Sequence, residues 1–469
     1  MSITRRCILG NALAGFPAIL KAQRTTRPNF LFFFPDQWRY DWTPFRKGLD
    51  LRMPHLERLA SRGMHASRAV VASPVCAPSR ACLAAGVEYE RCQVPSNGYN
   101  YPLSQTTYYR RLRDAGYHVL GCGKLDLHKK TKDWGRDGRR LVKEWGFTDA
   151  IDSAGKGDAI SSTLQNGHPM DPFMAHLERR GLLQAHLDDF DKRKGKNSYW
   201  NTGPCPLPDA DYGDTWVASN GIELLRAVPG GTPWHLVVNF PGPHNPMDIT
   251  RRMHQSVQGR SFSPPVKSQE GDASGHAAIR QNYTAMCENI DTQMGRLLAE
   301  VERRGELDNT VVVFTSDHGE MLGDHDRWAK SVPYQPSVGV PLVVSGPGVE
   351  AGTTDALVSH IDLAATFLDF AGLPVPDTMD ARSLRGLLSG RVRTHREVVY
   401  SALGNWRMAW EGRFKLVQGF RLREGEVRGA EPDAPELLFD LLDDPGESEN
   451  RISRHRNVAD RLRQSMNRA

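Results

Sequence analysis

Apolar residues in this chain gather in short unbroken runs, and between the runs they recur at helical spacing. Asn29-Phe30-Leu31-Phe32-Phe33-Phe34 is continuous and bounded by Pro28 and Pro35. A strand covered on both faces reads this way, whereas one with a wet face alternates. Tyr117 to Leu120, Trp234 to Phe240, Thr310 to Thr315 and Val340 to Val344 are further strand candidates. Among the helical stretches, Met53 to Arg62 puts Leu56, Leu59 and Ala60 on one face. Ser104 to Ala115, Ile222 to Ala227, Tyr283 to Val301 and Asp362 to Ala371 are the other helix candidates. Strand and helix in alternation specify an α/β sandwich with a large, mostly parallel central sheet flanked by helices. Beyond Gly372 the pattern changes. Val398-Val399-Tyr400, Arg407 to Trp410, Phe414 to Val417 and Leu437 to Phe439 read as short strands separated by turns. A smaller C-terminal domain with an antiparallel sheet is expected over 374–469. Two stretches interrupt the alternation. Asp133 to Asn201, rich in charge and glycine, reads as an insertion over one face, and Arg251 to Gly275 as a polar loop.

The polar residues that follow the strands add chemistry to this outline. Asp36 and Gln37 come directly after the first run, Lys124 after Val119 to Gly123, His244 after Val237 to Pro243, and Asp317 with His318 after Val311 to Ser316. In open α/β sheets the carboxyl edge of the strands is where ligands bind. Asp36, Gln37, Asp317 and His318 supply three side-chain oxygen donors and one imidazole. Such a set suits Ca²⁺ or Mg²⁺ and admits Mn²⁺.

Composition narrows the classes. Of 469 residues, 39% are hydrophobic and 25% charged, as in a soluble globular enzyme. Sixty Lys and Arg against 55 Asp and Glu give a net charge of +5, so no nucleic-acid-binding tail is implied. Ser2-Ile3-Thr4-Arg5-Arg6-Cys7-Ile8-Leu9-Gly10 resembles a twin-arginine export signal, followed by an apolar run to Leu20 that Asn11 and Pro17 interrupt. Residues 1–23 are therefore expected to be a signal, with the protein periplasmic or secreted. No stretch is apolar enough for a transmembrane anchor. The seven cysteines contain no C-x-x-C pair, which disfavours a zinc ribbon. One or two disulfides could form after export.

One of those cysteines stands in Ser73-Pro74-Val75-Cys76-Ala77-Pro78-Ser79-Arg80. Cys76 to Arg80 resembles the C-x-P-S-R signature of type I, formylglycine-dependent sulfatases, in the alkaline phosphatase superfamily. Further blocks match that family in order. They are Phe34-Pro35-Asp36-Gln37, Gly123-Lys124, Pro243-His244-Asn245-Pro246, Thr315 to Glu320, Leu322 to His325 with Trp328-Ala329-Lys330, Ser359 to Leu363, and Leu438-Phe439-Asp440 with Asp444 to Glu447. The likeness runs from about Asn29 to Asn450. It implies an alkaline-phosphatase-like fold, a catalytic domain over 27–373 with its insertion at about 133–201, and hydrolysis of a sulfate ester.

The resemblance also assigns roles. Cys76 would be oxidised to formylglycine (3-oxoalanine) by a cytoplasmic maturation enzyme, before folding and export, and one oxygen of its hydrate, a ligand of the cation alongside Asp36, Gln37, Asp317 and His318, would attack sulfur. Arg80 and Lys124 would hold and polarise that group, Lys330 would bind the sulfate, and His244 would protonate the leaving oxygen. The substrate is expected to be a sulfated small molecule or glycan, with sulfated carbohydrate favoured. Two positions depart from the family pattern. Gln37 stands where many members carry a second Asp, removing one negative charge from the metal site. Many members also carry Lys-x-His after the strand ending at Gly123, and that histidine breaks down the sulfated intermediate; here Asp126 takes its place and His128 follows two residues later. Either His128 reaches in or Asp126 is the base, and His128 is preferred because its pKa lies nearer neutrality. Phosphonate monoester or phosphodiester hydrolysis with the same nucleophile is the alternative activity. Sulfated-glycan binding without turnover is the alternative if Cys76 stays a thiol.

Overall fold

In the computed structural model, residues 27–420 and 434–467 are described, and the signal-like segment with Cys7 lies outside them. Eight strands build the central sheet: β1 (Asn29–Phe33), β2 (Gly63–Val70), β3 (His118–Gly123), β4 (Asp149–Asp152), β5 (Trp234–Asn239), β6 (Thr310–Thr315), β7 (Gly339–Ser345) and β8 (Gly352–Ser359). Their order is β4-β3-β5-β1-β6-β7-β2-β8. From β4 to β6 every neighbour is parallel; β7 runs antiparallel to both β6 and β2, and β8 is parallel to β2. The mostly parallel α/β sandwich expected from the pattern is what forms.

The continuous apolar runs follow from two-sided cover. Along β1, Phe30 and Phe32 face a core that includes helix α2 (Cys76–Ala85), helix α3 (Tyr108–Asp114) and the helix Asp362–Phe370. Leu31 and Phe33 face the opposite core, with helix α1 (Pro54–Ser61) and the helices Gly213–Arg226 and Ala273–Arg303. Every residue of β1, β5 and β6 is buried. Strands β9 (Val399–Leu403), β10 (Trp406–Trp410), β11 (Phe414–Gln418) and β12 (Leu437–Asp440) form the antiparallel C-terminal sheet, in the order β12-β11-β10-β9. Trp406, Met408 and Phe439 of that sheet share a core with Met321, Val332 and Tyr334, from the segment that follows β6.

Two expectations are corrected. The stretch 133–201 is not wholly an addition over one face, because β4 within it pairs with β3 and forms an edge of the central sheet. The stretch 251–275 is not simply a loop. Thr250 accepts a hydrogen bond from Met253 N and starts the helix Arg251–Val257, and Asp272 accepts from Gly275 N and starts the 31-residue helix Ala273–Arg303. Among the described residues no helix is long and apolar enough to cross a membrane. The six described cysteines are buried free thiols.

Candidate active site

The carboxyl ends of β1, β3, β5 and β6 and the start of α2 converge on Cys76. Seven of the ten residues of α2 are Ala, Leu or Cys, and Cys76 is its first residue; every residue of this helix is buried. Cys76 Sγ lies 3.2 Å from His318 Nε2 and 3.8 Å from Asp36 Oδ1. Asp36, Cys76, Asp317 and His318 each offer one ligand atom, and these atoms lie within 4.8 Å of one another. His318 Nδ1 faces the Gly319 carbonyl at 3.0 Å, which turns Nε2 toward Asp36 and Asp317 at 3.3 and 3.6 Å. Burial opposes charge on this ring, yet Asp317, Cys76 and Asp36 together outweigh it and raise its pKa to about 9. A buried cluster that draws a proton this strongly is one that a cation fits.

Gln37 takes a different position from the one its sequence place suggested. Its Oε1 accepts from Lys330 Nζ at 2.6 Å, and its Nε2 donates to Glu320. Only its backbone N–H meets the cluster, donating to Asp317 Oδ1 at 3.0 Å. As a metal donor it would have to share that oxygen with the lysine. Cys76 stands in the fourth place of the compact group.

Charges around the cluster are matched in pairs. Lys124 Nζ bridges Asp36 and Asp126, lying 2.9 Å from Asp126. Burial alone would raise the Asp36 carboxyl, but Lys124 and its neighbours hold it well below the usual range. Arg80 donates from Nε to Asp317 at 2.9 Å, and from one Nη to the Lys124 carbonyl and to Asn239 Oδ1 at 2.7 and 2.8 Å. It therefore ties the ends of β3, β5 and β6 together; its contacts go to Asp317 and these strand ends, not to Cys76. Lys330 Nζ lies 2.7 Å from His244 Nε2. Burial and Lys330 push the His244 pKa well below its ordinary value, so the ring is a neutral acceptor facing an ammonium.

Asp126 and His128 are separated by the chain itself. Asp126, at φ 55°, directs Oδ2 to Lys124 and Lys129, while its buried Oδ1 has no partner. His128 turns away. Its Nε2 lies 3.0 Å from the Asp133 carbonyl and its ring stacks on Trp145. Of the two, Asp126 contacts Lys124 at the centre, whereas the nitrogens of His128 face the Asp133 carbonyl and Asp152.

Above Cys76 opens a cleft of about 570 Å³. Asp36, Lys124, His244 and Lys330 line it beside Cys76, and Lys129, Lys130, Lys132 and Lys156 line the rest together with Asn97, Asp158 and Phe190. The sequence reading missed these further lysines, and it missed Glu320 as a hub. Glu320 accepts from Gln37 Nε2, from the Tyr199 hydroxyl at 2.9 Å and from Leu322 N and Ala329 N at 2.8 Å. The lysines give little local pattern; Glu320 stood inside a recognised block, but its partners Gln37 and Tyr199 lie 283 and 121 residues away.

A cluster that could hold a metal ion lies at the carboxyl edge of this sheet, under a cationic cleft, on a fold of the alkaline-phosphatase-like class. Within that class the chain belongs to the sulfatase family, whose model matches residues 28–373. A second model, described as N-sulphoglucosamine sulphohydrolase, C-terminal, matches residues 323–469. The chain is 25% identical to an arylsulfatase of Clostridium perfringens, over 91% of this chain and 90% of the relative. It is 26% identical to an N-acetylglucosamine-6-O-sulfatase of Bacteroides thetaiotaomicron, over 91% and 83%. Its fold is similar to that of a phosphonate monoester hydrolase from Silicibacter pomeroyi, with a TM-score of 0.76, 22% identity and 94% of each chain covered.

Proposed function

We propose that the protein is a formylglycine-dependent sulfuric-ester hydrolase acting on a sulfated carbohydrate, with a divalent cation, Ca²⁺ in the first instance, held by Asp36, Asp317, His318 and the oxidised residue 76. The observation that carries this reading is the position of Cys76 at the centre of the carboxylate–imidazole cluster and at the floor of a lysine-lined cleft. The oxidised, hydrated side chain supplies the oxygen nucleophile for sulfur, and the cation offsets the charge of the sulfate.

The chain's own residues do the rest. Lys124 and Lys330 face the anion from two sides and hold its oxygens. Arg80 fixes Asp317 and the backbone of Lys124, so its role is positioning. The proton for the leaving oxygen comes from the Lys330–His244 pair, in which the ammonium already donates to Nε2. For the base that resets the nucleophile, the contacts favour Asp126, coupled to the centre through Lys124, over His128 in its tryptophan-lined pocket. Carbohydrate is favoured as substrate by the relative that is an N-acetylglucosamine-6-O-sulfatase. The signal-like N-terminus supports export by a twin-arginine route after maturation in the cytoplasm.

Coexpression with a formylglycine-generating enzyme, followed by mass spectrometry of the Cys76 peptide and parallel assays on 4-nitrophenyl sulfate and an aryl phosphonate, tests this. The expected result is a lighter, aldehyde-bearing peptide and faster turnover of the sulfate. Faster turnover of the phosphonate would move the protein to the phosphonate hydrolases. An unmodified Cys76 that still binds sulfated glycans would make it a binding protein.

A further inference from the structure

Six lysines line the cleft, but only part of that charge is needed at the floor. Lys124 and Lys330 belong to the reaction centre. Lys129 is matched by Asp126 and Asp158, at 2.8 and 2.9 Å, and Lys156 by Asp248 at 2.7 Å. Lys130 and Lys132 have no carboxylate partner among the described residues, although both are exposed on the cleft wall. The ammonium of Lys130 lies 6.0 Å from the ring centre of the half-exposed Tyr99. The backbone that carries the two lysines is fixed. Asn100 Oδ1 accepts from Lys130 N at 3.0 Å, its amide donates to Thr131 Oγ1 at 2.9 Å, and Ser162 Oγ donates to the Lys132 carbonyl at 2.5 Å. Lys132 itself is held in the left-handed region at φ 52°, as the C-cap of the short 3₁₀ turn Lys129–Thr131. Two cations without a carboxylate partner on an ordered wall of the cleft raise the local potential and favour an anion beside them.

We propose that Lys130 and Lys132 form a second anion subsite, which binds a further negatively charged substituent on the same substrate whose sulfate ester lies over Cys76. The inference rests on the reading of the cleft floor as the ester site. It deepens that reading, because the preferred substrate becomes a saccharide with at least two anionic groups rather than a singly sulfated or neutral-tailed ester. An ammonium is a point charge that accepts sulfate or carboxylate alike. The subsite therefore acts on affinity, and through KM more than kcat.

The probe is a heparin tetrasaccharide, used as a competitive inhibitor of 4-nitrophenyl sulfate hydrolysis by the matured protein. A Lys130→Ala/Lys132→Ala variant is expected to raise its Ki about fivefold beyond any change in KM for 4-nitrophenyl sulfate, a size set by two exposed charge pairs. It should also flatten the dependence of Ki on salt. Tetragalacturonate, which carries carboxylates only, identifies the group: inhibition lost in the same variant assigns the subsite to anions in general, and no inhibition assigns it to sulfate. A Lys47→Ala/Lys143→Ala variant removes the same charge away from the cleft. An equal rise of Ki there, or an unchanged Ki in the rim variant, overturns the proposal. Calorimetric binding of the tetrasaccharide to a Cys76→Ala protein reads the rim even if no ester is turned over, so failure of the sulfatase reading and failure of the subsite remain distinct results.

Discussion

Single residues at the centre are constrained by what they already hold. Glu320 fixes the Gln37 amide so that its oxygen faces Lys330, and the same carboxylate anchors the backbone of Ala329 beside that lysine. Glu320→Gln should therefore lower kcat by about tenfold or more while leaving the fold intact, since an amide cannot accept from all four donors at once. Steady-state kinetics beside a thermal melt separates the two effects. Asp126 and His128 provide a sharper contrast. Asp126→Asn removes the carboxylate against Lys124 and should cost about 100-fold or more in kcat. His128→Gln should change kcat by only a few-fold, and the opposite ranking would restore the histidine as base. At this scale the sequence was informative wherever a residue comes within a few positions of a strand's carboxyl end, because the strand fixes the edge of the sheet that it reaches. Asp36, Lys124, His244, Asp317 and His318 were legible for that reason. The contacts of the Gln37 side chain were not legible, because Lys330 and Glu320 lie 293 and 283 residues away and spacing carries no record of such partners.

Elements set these residues in place, and the closest tolerance is where β3 ends. Gly123 sits at φ 87°, and a Cβ there would lie 2.0 Å from the carbonyl oxygen of Asn239 on β5. The glycine lets the two strand ends approach closely enough for Arg80 to bridge them. Gly123→Ala should cost about 1–3 kcal/mol of stability and displace Lys124, so that kcat falls even below the melting transition. Denaturant unfolding and activity measured on one preparation check both parts. Strands buried on both sides were legible as apolar runs; three others were not. In β2, Gly63-Met64-His65-Ala66-Ser67-Arg68-Ala69-Val70 has one half-wet face and a register shift, and β8 begins Gly352-Thr353-Thr354-Asp355 in solvent. The edge strand β4 has four residues, two of them Asp. Their pairing comes from neighbouring strands, not from their own pattern.

Over the whole molecule, the C-terminal sheet is joined to the active-site loop by a buried ion pair. Lys415 of β11 pairs with Glu447; Lys415 Nζ also donates to the Pro333 carbonyl at 2.8 Å, and Glu447 accepts from Gln335 N at 2.5 Å. Both segments flank the chain running on from Lys330. Lys415→Ala leaves the Glu447 carboxyl buried without its partner and should cost about 3–5 kcal/mol, seen as a lowered urea midpoint and a loss of activity before global unfolding. Acid acts on the fold elsewhere. Burial lowers His235 to about 3 and His360 to about 4, so in the native state both stay neutral well below the ordinary histidine range. Unfolded, they take up protons from about pH 6.5 downward. Between there and about pH 4 the unfolded chain binds more protons, and stability falls as pH falls, by up to about 3 kcal/mol from His360 alone. Melting temperature should thus drop steadily from pH 7 to pH 4.5, and a flat profile would mean that another group compensates.

The order of the strands also governs events in time. The first strand, β1, lies between β5 and β6, so Phe30 meets His235 and Val311, 205 and 281 residues further along the chain. The central sheet cannot close around it until Thr315 has been synthesised, 239 residues after Cys76 (315 − 76). At about 5–20 residues per second that interval is roughly 12–50 seconds. During it Cys76 belongs to an open chain; afterwards its side chain is 1% exposed. Chains arrested on the ribosome at increasing lengths should accept the oxidation up to that point and resist it after release and folding. On the proposed reading of Cys76 as a formylglycine precursor, the sheet would thereby limit how long a maturation enzyme can reach it.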